Sequence, residues 1–218
     1  MDRRIMIAIC MAFLIVVPCL AADEGGELLL NYESLKSFKA EFTQTYFNKL
    51  TKKNAAPEAG TIQYKAPSFM RFDYLQAGKL LKQIYVNDAG VAIIHHDKRT
   101  VSRTKGQSGA SDYLVFLKGV AEIKKKFSVK KGDPVLARKA GIRIEEKQEI
   151  FKLTPLAKIP HLRYLFLIMQ GKDVSSVAIV DEIGNITQYF FSAVQYDPKM
   201  EPAIFTYTVP VGFEVSDL

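Results

Sequence analysis

The sequence predicts an α+β chain of mostly antiparallel strands, an incomplete, half-open β-barrel with a helical lid over an apolar cavity. Three observations lead to that class. Short stretches of alternating apolar and polar residues recur from Phe38 to Val209, with turn residues between them. One mid-chain stretch, Asp112 to Lys126, carries apolar residues at helical spacing instead. Neither a long internal repeat nor a domain linker divides the chain, and strands so closely spaced with few helices to cover them imply a strongly curved sheet.

The first residues read as a removable leader. Asp2, Arg3 and Arg4 precede an apolar run from Ile5 to Val17, and small residues follow at Cys19, Ala21 and Ala22. A basic start, a short apolar core and a small-residue exit make a secretory signal peptide, residues 1–21. The run is shorter than the roughly 20 apolar residues of a membrane span. Pro18 directly before Cys19 argues against lipidation of that cysteine. Cys10 and Cys19 both depart with the leader, so the mature chain, residues 22–218, has no cysteine to oxidise. Its length of about 197 residues suits one domain with a full core. The net charge of +7 would suit nucleic acid, but a secreted protein seldom meets it; acidic lipid head groups or an acidic partner fit better.

Glu27 to Lys36 predicts a helix, because Leu28, Tyr32 and Leu35 fall on one face. Phe38 to Tyr46 then alternates as a strand. Thr51 to Gly60 is a loop, and Thr61 to Lys65 and Met70 to Tyr74 are strands separated by Pro67, which cannot donate to a ladder. Phe42, Ile62, Tyr64, Met70 and Phe72 share one strand parity, with Ile84 and Val86 beside them in the strand Lys82 to Asn87; these seven are expected to face one apolar concavity. Asp88-Ala89-Gly90 turns the chain into Val91 to His96, and Thr100 to Arg103 follows. In Asp112 to Lys126, the residues Leu114, Phe116 and Leu117 are expected over the pocket mouth, and Lys124, Lys125 and Lys126 in solvent. Further strands are predicted at Ile142 to Ile144, Glu149 to Leu153, Tyr164 to Met169, Ser175 to Asp181, Ile186 to Ala193 and Ala203 to Val209, with turns at Gly171 to Asp173 and Glu182 to Asn185.

Catalytic chemistry finds little to stand on. His95 and His96 are adjacent on a strand and point to opposite faces, so they do not share a metal ion easily. No Gly-x-Ser-x-Gly elbow is present; Gly106-Gln107-Ser108-Gly109 lacks the strand-to-helix turn that would hold Ser108. No phosphate-binding glycine motif appears. Glu145 and Glu146 are consecutive and read as solvated. The chain is therefore expected to have no cofactor, no metal and no enzymatic activity. Most of the 14 Phe and 10 Tyr read as core packing.

An ordered set of motifs carries a resemblance. Ser37-Phe38-Lys39-Ala40-Glu41-Phe42-Thr43-Gln44 resembles the "SFxAxFTQ" segment of the LolA family of periplasmic lipoprotein carriers. Gly60-Thr61-Ile62-Gln63-Tyr64-Lys65, then Pro67 and Met70-Arg71-Phe72-Asp73-Tyr74, is similar to its "GxLxxKRPxxFRWxY" segment. Tyr85 to Gly90 resembles its "VSDG" hairpin, Phe151-Lys152-Leu153-Thr154-Pro155 its "FxLTP", and Asp181 to Thr187 its "DxxGxIT" turn. Phe205, Pro210 and Gly212 resemble its closing "FxFxxPxG" run. No single match is specific, but they span the mature chain in family order.

The resemblance implies a periplasmic, monomeric carrier whose cavity, lined by the residues named above, shelters lipoprotein acyl chains. It also implies loading from an inner-membrane lipoprotein-releasing ABC transporter and unloading to an outer-membrane receptor such as LolB. One departure stands out. Where the family has an arginine that hydrogen-bonds the lid, this chain has Ala66, and Arg71 has the wrong strand parity to replace it. A carrier of another lipid or glycolipid, and a lipid-sensing half-barrel domain, are the alternative readings of the same pocket.

Overall fold

The computed structural model describes residues 28, 30–105 and 114–217. The leader, Glu27 and Leu29 of the proposed first helix, the Gly106–Gly109 loop and Asp112 at the start of the proposed lid lie outside the described residues. The described residues form one sheet whose strands are β1 (Ser37–Asn48), β2 (Lys53–Asn54), β3 (Glu58–Lys65), β4 (Phe69–Gln76), β5 (Lys79–Asn87), β6 (Gly90–His95), β7 (Thr100–Lys105), β8 (Phe127–Lys131), β9 (Glu149–Pro155), β10 (Tyr164–Gln170), β11 (Asp173–Val180), β12 (Ile186–Tyr196) and β13 (Glu214–Asp217). Their order is β13-β7-β6-β5-β4-β3-β1-β12-β11-β10-β9-β8, with β2 paired to β1. Every pairing is antiparallel except β13 on β7. The path ends at β13 and β8 without closing, so the sheet is open.

Alternation explains the layers. One face, here called inner, gathers Phe38, Phe42, Ile62, Tyr64, Met70, Val86, Leu153, Leu165, Leu167 and Val177 into the main core. The other face carries two smaller cores. Ile150, Phe166, Ile168, Val180 and Ile186 pack with Ala137 and Ile142 at one end. At the other, Tyr85, Ala92, Ile94 and Val101 pack with Tyr207, Val209 and Phe213. Strands buried on both faces lose their clean alternation, as Leu165 to Met169 shows.

Turn chemistry follows the sequence closely. Asn87 Oδ1 accepts the Ala89 N–H at 3.0 Å in the β5–β6 turn. Asp181 Oδ1 accepts the N–H groups of Ile183, Gly184 and Asn185 at 2.7–2.9 Å, closing the β11–β12 turn. Those bonds have an electrostatic consequence. Burial acts to raise the Asp181 pKa, but the hydrogen bonds from Asn185, Gly184 and Ile183 together favour the carboxylate and hold it below its usual value.

Three predicted elements are not formed. Residues 30–36 are not helical: Asn31 N–H donates to Lys172 O and Leu35 N–H to Leu117 O, while Lys36 N–H reaches Asp197 Oδ1. Tertiary partners thus take the donors a helix would have used, and Leu28 and Leu35 are still buried. Ile142 to Ile144 is no strand. It follows a short helix, α2 (Pro134–Lys139), which starts on the Asp133 cap with Pro134 in its first turn. The helix ends in a Schellman motif: Ile142 N–H donates to Ala137 O and Gly141 N–H to Arg138 O, with Gly141 at φ 102°. Ala203 to Val209 is not a strand either. A 3-10 turn, Pro202–Phe205, buries Phe205, whose carbonyl accepts from Asn87 Nδ2 at 3.0 Å. Strands β2, β8 and β13 and helix α2 were not predicted, and β2 and the start of β3 fall within the expected Thr51–Gly60 loop.

Candidate functional site

The inner face of the sheet is where the expected pocket residues meet. On β1 and β3, Ala40 pairs with Ile62, Phe38 with Tyr64 and Phe42 with Gly60. The ladder continues from Ile62 to Phe72 and from Tyr64 to Met70, then from Phe72 to Ile84 and from Met70 to Val86. Single-parity strands in register therefore place Ile62, Tyr64, Met70, Phe72, Ile84 and Val86 in two adjacent rows, with Phe42 beside them. Phe42, Ile62, Tyr64, Met70 and Val86 are buried in the main core; Phe72 and Ile84 are half-buried against it.

Gly60 makes room for Phe42. A Cβ added at Gly60 would stand 2.0 Å from Asp73 O and 3.0 Å from Phe42 Cζ. The absent side chain lets the Phe42 ring lie across the strand, 5.1 Å from the Tyr74 ring centroid, 5.6 Å from Tyr189 and 6.1 Å from Phe72. The hydroxyls of this aromatic group are satisfied at its edge. Tyr74 Oη donates to Gln44 Oε1 at 2.8 Å and lies 3.4 Å from Tyr189 Oη. Burial, then the neighbouring Tyr189, lifts the Tyr74 pKa well above the usual phenol range; burial pushes Tyr64 up to about 12. These phenols stay neutral.

The segment from Leu114 closes this face. It forms a 3-10 turn, Val115–Lys118, and then α1 (Val120–Lys126), broken at Gly119 with φ 88°. The break has a local cause: a Cβ at Gly119 would fall 1.6 Å from Glu33 O, so only glycine lets residues 33–35 pass this close. Leu114, Val115, Phe116 and Leu117 are all buried in the main core. The Phe116 ring is wedged 6.3 Å from Phe38 and 5.8 Å from Phe191. Two hydrogen bonds tie this stretch to the chain that precedes β1: Leu35 N–H to Leu117 O at 3.2 Å, and Tyr32 Oη to Phe116 O at 3.2 Å. The basic end, Lys124 to Lys126, is exposed.

All ten expected lining residues thus belong to one apolar body, but they fill it with their own side chains. Among the described residues the expected cavity is not seen as an open space: Leu114, Phe116 and Leu117 sit inside the core. Clefts open elsewhere. One of about 470 Å³ lies by Gln44, Pro57, Glu58 and Leu75, and another of about 370 Å³ by Phe69, Pro202 and Phe205. None of the ten lines either. Phe38, Phe191, Tyr32 and Leu35, which hold the Leu114–Leu117 stretch, were not among the expected site residues; Phe191 faces Phe42 across the β1–β12 ladder and was legible by parity.

Ala66 lies exposed at the end of β3, and its N–H donates to Lys36 O at 2.8 Å. Its partner Lys36 directly follows Leu35, the backbone anchor of the Leu114–Leu117 stretch. Arg71 faces the opposite side, as its parity requires: it pairs with Asp73 at 3.0 Å and donates to Ile204 O at 3.3 Å. His96 Nε2 lies 3.0 Å from Gln83 Oε1, and its ring meets the edge of Phe213 at 5.7 Å. Among the described residues no three His, Cys, Asp or Glu side chains converge as a metal site would require, and no helix is long and apolar enough to cross a membrane.

Comparison with known proteins agrees with the motif reading. The family model described as outer membrane lipoprotein carrier protein LolA matches residues 33–208. An outer-membrane lipoprotein carrier protein from Dechloromonas aromatica is 26% identical over 216 residues, covering 98% of this chain and 96% of its own. One from Methylibium petroleiphilum is 27% identical over 206 residues, covering 90% and 93%. Among solved structures, a LolA superfamily protein from Nitrosomonas europaea aligns with TM-score 0.44 and 8% identity, over 83% of this chain and 93% of that one. With the family model spanning nearly every strand of the sheet, the chain belongs to the LolA family.

Proposed function

We propose that this protein is a periplasmic carrier, not an enzyme, that shelters the acyl chains of lipoproteins on their way from the inner to the outer membrane. In this reading residues 1–21 direct secretion and are cleaved. An inner-membrane lipoprotein-releasing ABC transporter loads the carrier, and an outer-membrane receptor such as LolB takes the cargo. The names of the relatives support the cargo class. The observation that carries the mechanism is the apolar Leu114–Leu117 stretch packed into the inner face of an open sheet. It occupies the place where acyl chains would lie, and Gly119 gives it a hinge.

The chemistry of such a site is displacement. Each buried methylene is worth about 0.8 kcal/mol, so one long acyl chain gains roughly 10 kcal/mol on burial. Four buried side chains at about 1.5–3 kcal/mol each give up about 6–12 kcal/mol when they leave the same face. The near balance lets cargo enter and leave without a site bound too tightly to empty. Phe42, Ile62, Tyr64, Met70, Phe72, Ile84 and Val86 line the floor; Leu114, Phe116 and Leu117 are the lid.

Native mass spectrometry of protein isolated from its own periplasm tests this. A co-purified triacylated lipoprotein is the expected result. A free lipid or glycolipid in its place would make this a carrier of another cargo or a lipid sensor, and a chain that takes up no acylated molecule would overturn the reading.

A further inference from the structure

The positive charge of this chain is concentrated in one place. Between Lys118 and Lys139 stand eight basic and two acidic residues, which leaves +6 of the whole chain's +7. The fold gathers that stretch about the terminal strand: β8 ends the strand order, α1 before it packs through Ile123 on the inner face, and α2 after it packs through Ala137 on the other face. Lys124, Lys130 and Lys139 are exposed, one on each of these three elements. On β8 and β9, Lys130 pairs directly with Lys152, whose ammonium lies 4.3 Å from the Tyr164 ring centroid, and like charges placed opposite each other cost some stability. Lysines on an edge strand also discourage pairing with another sheet. That explains Lys130 and Lys131 but not the equal density on the two helices, which present no free strand edge.

Apolar side chains protrude among these cations. Leu136 on α2 is 62% exposed and Val135 54%. At the other end of β8, Leu156 is 63% exposed, and its N–H donates to Lys126 O at 2.9 Å. Leu156, Ala157 and Ile159 form, with Lys125 and Lys126, a cleft of about 240 Å³. Exposed leucines beside ammonium groups suit a surface that is anionic outside and apolar just beneath, where lysines meet phosphates and short apolar side chains enter the acyl boundary. An acidic protein would satisfy the charges but give Leu136 and Leu156 no apolar layer.

We infer that the edge formed by α1, β8 and α2 docks on anionic phospholipid bilayers. The contact is peripheral and electrostatic, so it is reversible and weakens as salt rises. α1 is continuous through Gly119 with the Leu114–Leu117 stretch, so docking would bring the proposed cargo site to the membrane surface. The docking itself does not depend on which cargo is carried.

The test is flotation of the full mature chain with vesicles of phosphatidylcholine alone, or with about a third phosphatidylglycerol, at low and high salt. The expected result is binding to the anionic vesicles at low salt and its loss at high salt. Each lysine at the surface accounts for roughly fivefold in partitioning. Replacing Lys124, Lys130 and Lys139 together by Gln should therefore weaken binding about a hundredfold. The same charge removed at Lys79, Lys98 and Lys105, exposed on and between β5, β6 and β7 at the opposite end of the strand order, should leave it near the parent value. Val135→Ser with Leu136→Ser should weaken binding without altering its salt dependence. A folded parent that ignores anionic vesicles, equal losses from the two lysine triplets, or binding to polyglutamate but not to vesicles would overturn the proposal. Cargo read by mass spectrometry is independent of all these outcomes, so failure of either idea leaves the other standing.

Discussion

Truncating Phe116 should make the protein bind acyl chains more tightly while making it less stable. Phe116 is 1% exposed and is wedged between Phe38 and Phe191. Phe116→Ala removes that ring from the closed state, at a cost of about 3–5 kcal/mol in transfer and cavity terms. If acyl chains must displace the Leu114–Leu117 stretch, the closed competitor is weakened by that amount. At 1.4 kcal/mol per decade, even 3 kcal/mol tightens the apparent affinity of a fluorescent acyl probe by about two decades. The same loss lowers the unfolding midpoint of a chain this size by roughly 6–12 °C. Probe titration and thermal unfolding on the same preparation read both effects. A midpoint that falls as expected beside a probe affinity unchanged within twofold would refute displacement, and would make the stretch an ordinary part of the core.

Other perturbations probe the floor, the turns and the hinge region. Met70→Glu places a carboxylate at a site 1% exposed and should abolish most probe binding while circular dichroism still reports a folded sheet, since burying an unpaired charge costs roughly several kcal/mol; normal lipoprotein loading would put the pocket elsewhere. Gly60→Ala drives a Cβ into the Asp73 carbonyl at 2.0 Å and should lower the unfolding midpoint by at least about 4 °C, for a loss of roughly 2 kcal/mol. Asp181 has a depressed folded pKa, so its stabilisation is full above the unfolded value of about 3.9 and is lost as pH falls through the folded one; the stability gap between parent and Asp181→Ala, about 1 kcal/mol near neutrality, should narrow in urea titrations below about pH 4. Ala66→Arg adds a donor beside Lys36 and should slow probe entry into the unloaded protein by one to two decades, if its bonds reach the closing stretch with about 1.5–3 kcal/mol; equal entry rates would show that an arginine latch has no acceptor here.

The parts of this molecule that sequence makes legible are those where one local rule decides. Strand parity placed Phe42, Ile62, Tyr64, Met70, Phe72, Ile84 and Val86 on one face, because a single register error would have sent the whole set outward. The Asp181 turn was legible because a short carboxylate can satisfy three successive N–H groups by itself. Legibility failed where a distant partner decides. The spacing of Leu28, Tyr32 and Leu35 fits a helix as well as an irregular run, and nothing in that segment reveals that Lys172, Leu117 and Asp197 will take its donors. The Ala140-Gly141-Ile142 sequence held the signal of a helix end, yet the helix before it is so short that its own periodicity is nearly invisible. The filled interior was beyond parity altogether: alternation assigns side chains to a face but does not say whether the space above that face is empty.

The change at Ala66 makes sense against that filled interior. An arginine at this position would spend a long, charged side chain on holding the lid from the barrel rim. Here the rim instead holds the chain before β1: Ala66 N–H binds Lys36 O, and the next residue back, Leu35, binds Leu117 O. Tyr32 adds a hydroxyl bond to Phe116 O from the same stretch, and burial, reinforced by Tyr196 and Asp173, keeps that phenol protonated and able to donate. Each such bond is worth about 0.5–1.5 kcal/mol, so the two together match a single charge-assisted latch of about 1.5–3 kcal/mol. The difference lies in what must move. An arginine side chain swings away alone, whereas Leu35 and Tyr32 belong to a segment whose own donors are anchored at Lys172 and Asp197. On the proposed carrier reading, opening would mean that the Leu114–Leu117 stretch leaves a fixed seat, with Gly119 supplying the backbone freedom at one end. On the same reading the closing energy would rest chiefly on the four buried apolar side chains, and a bound acyl chain would compete with it through the same burial of apolar surface.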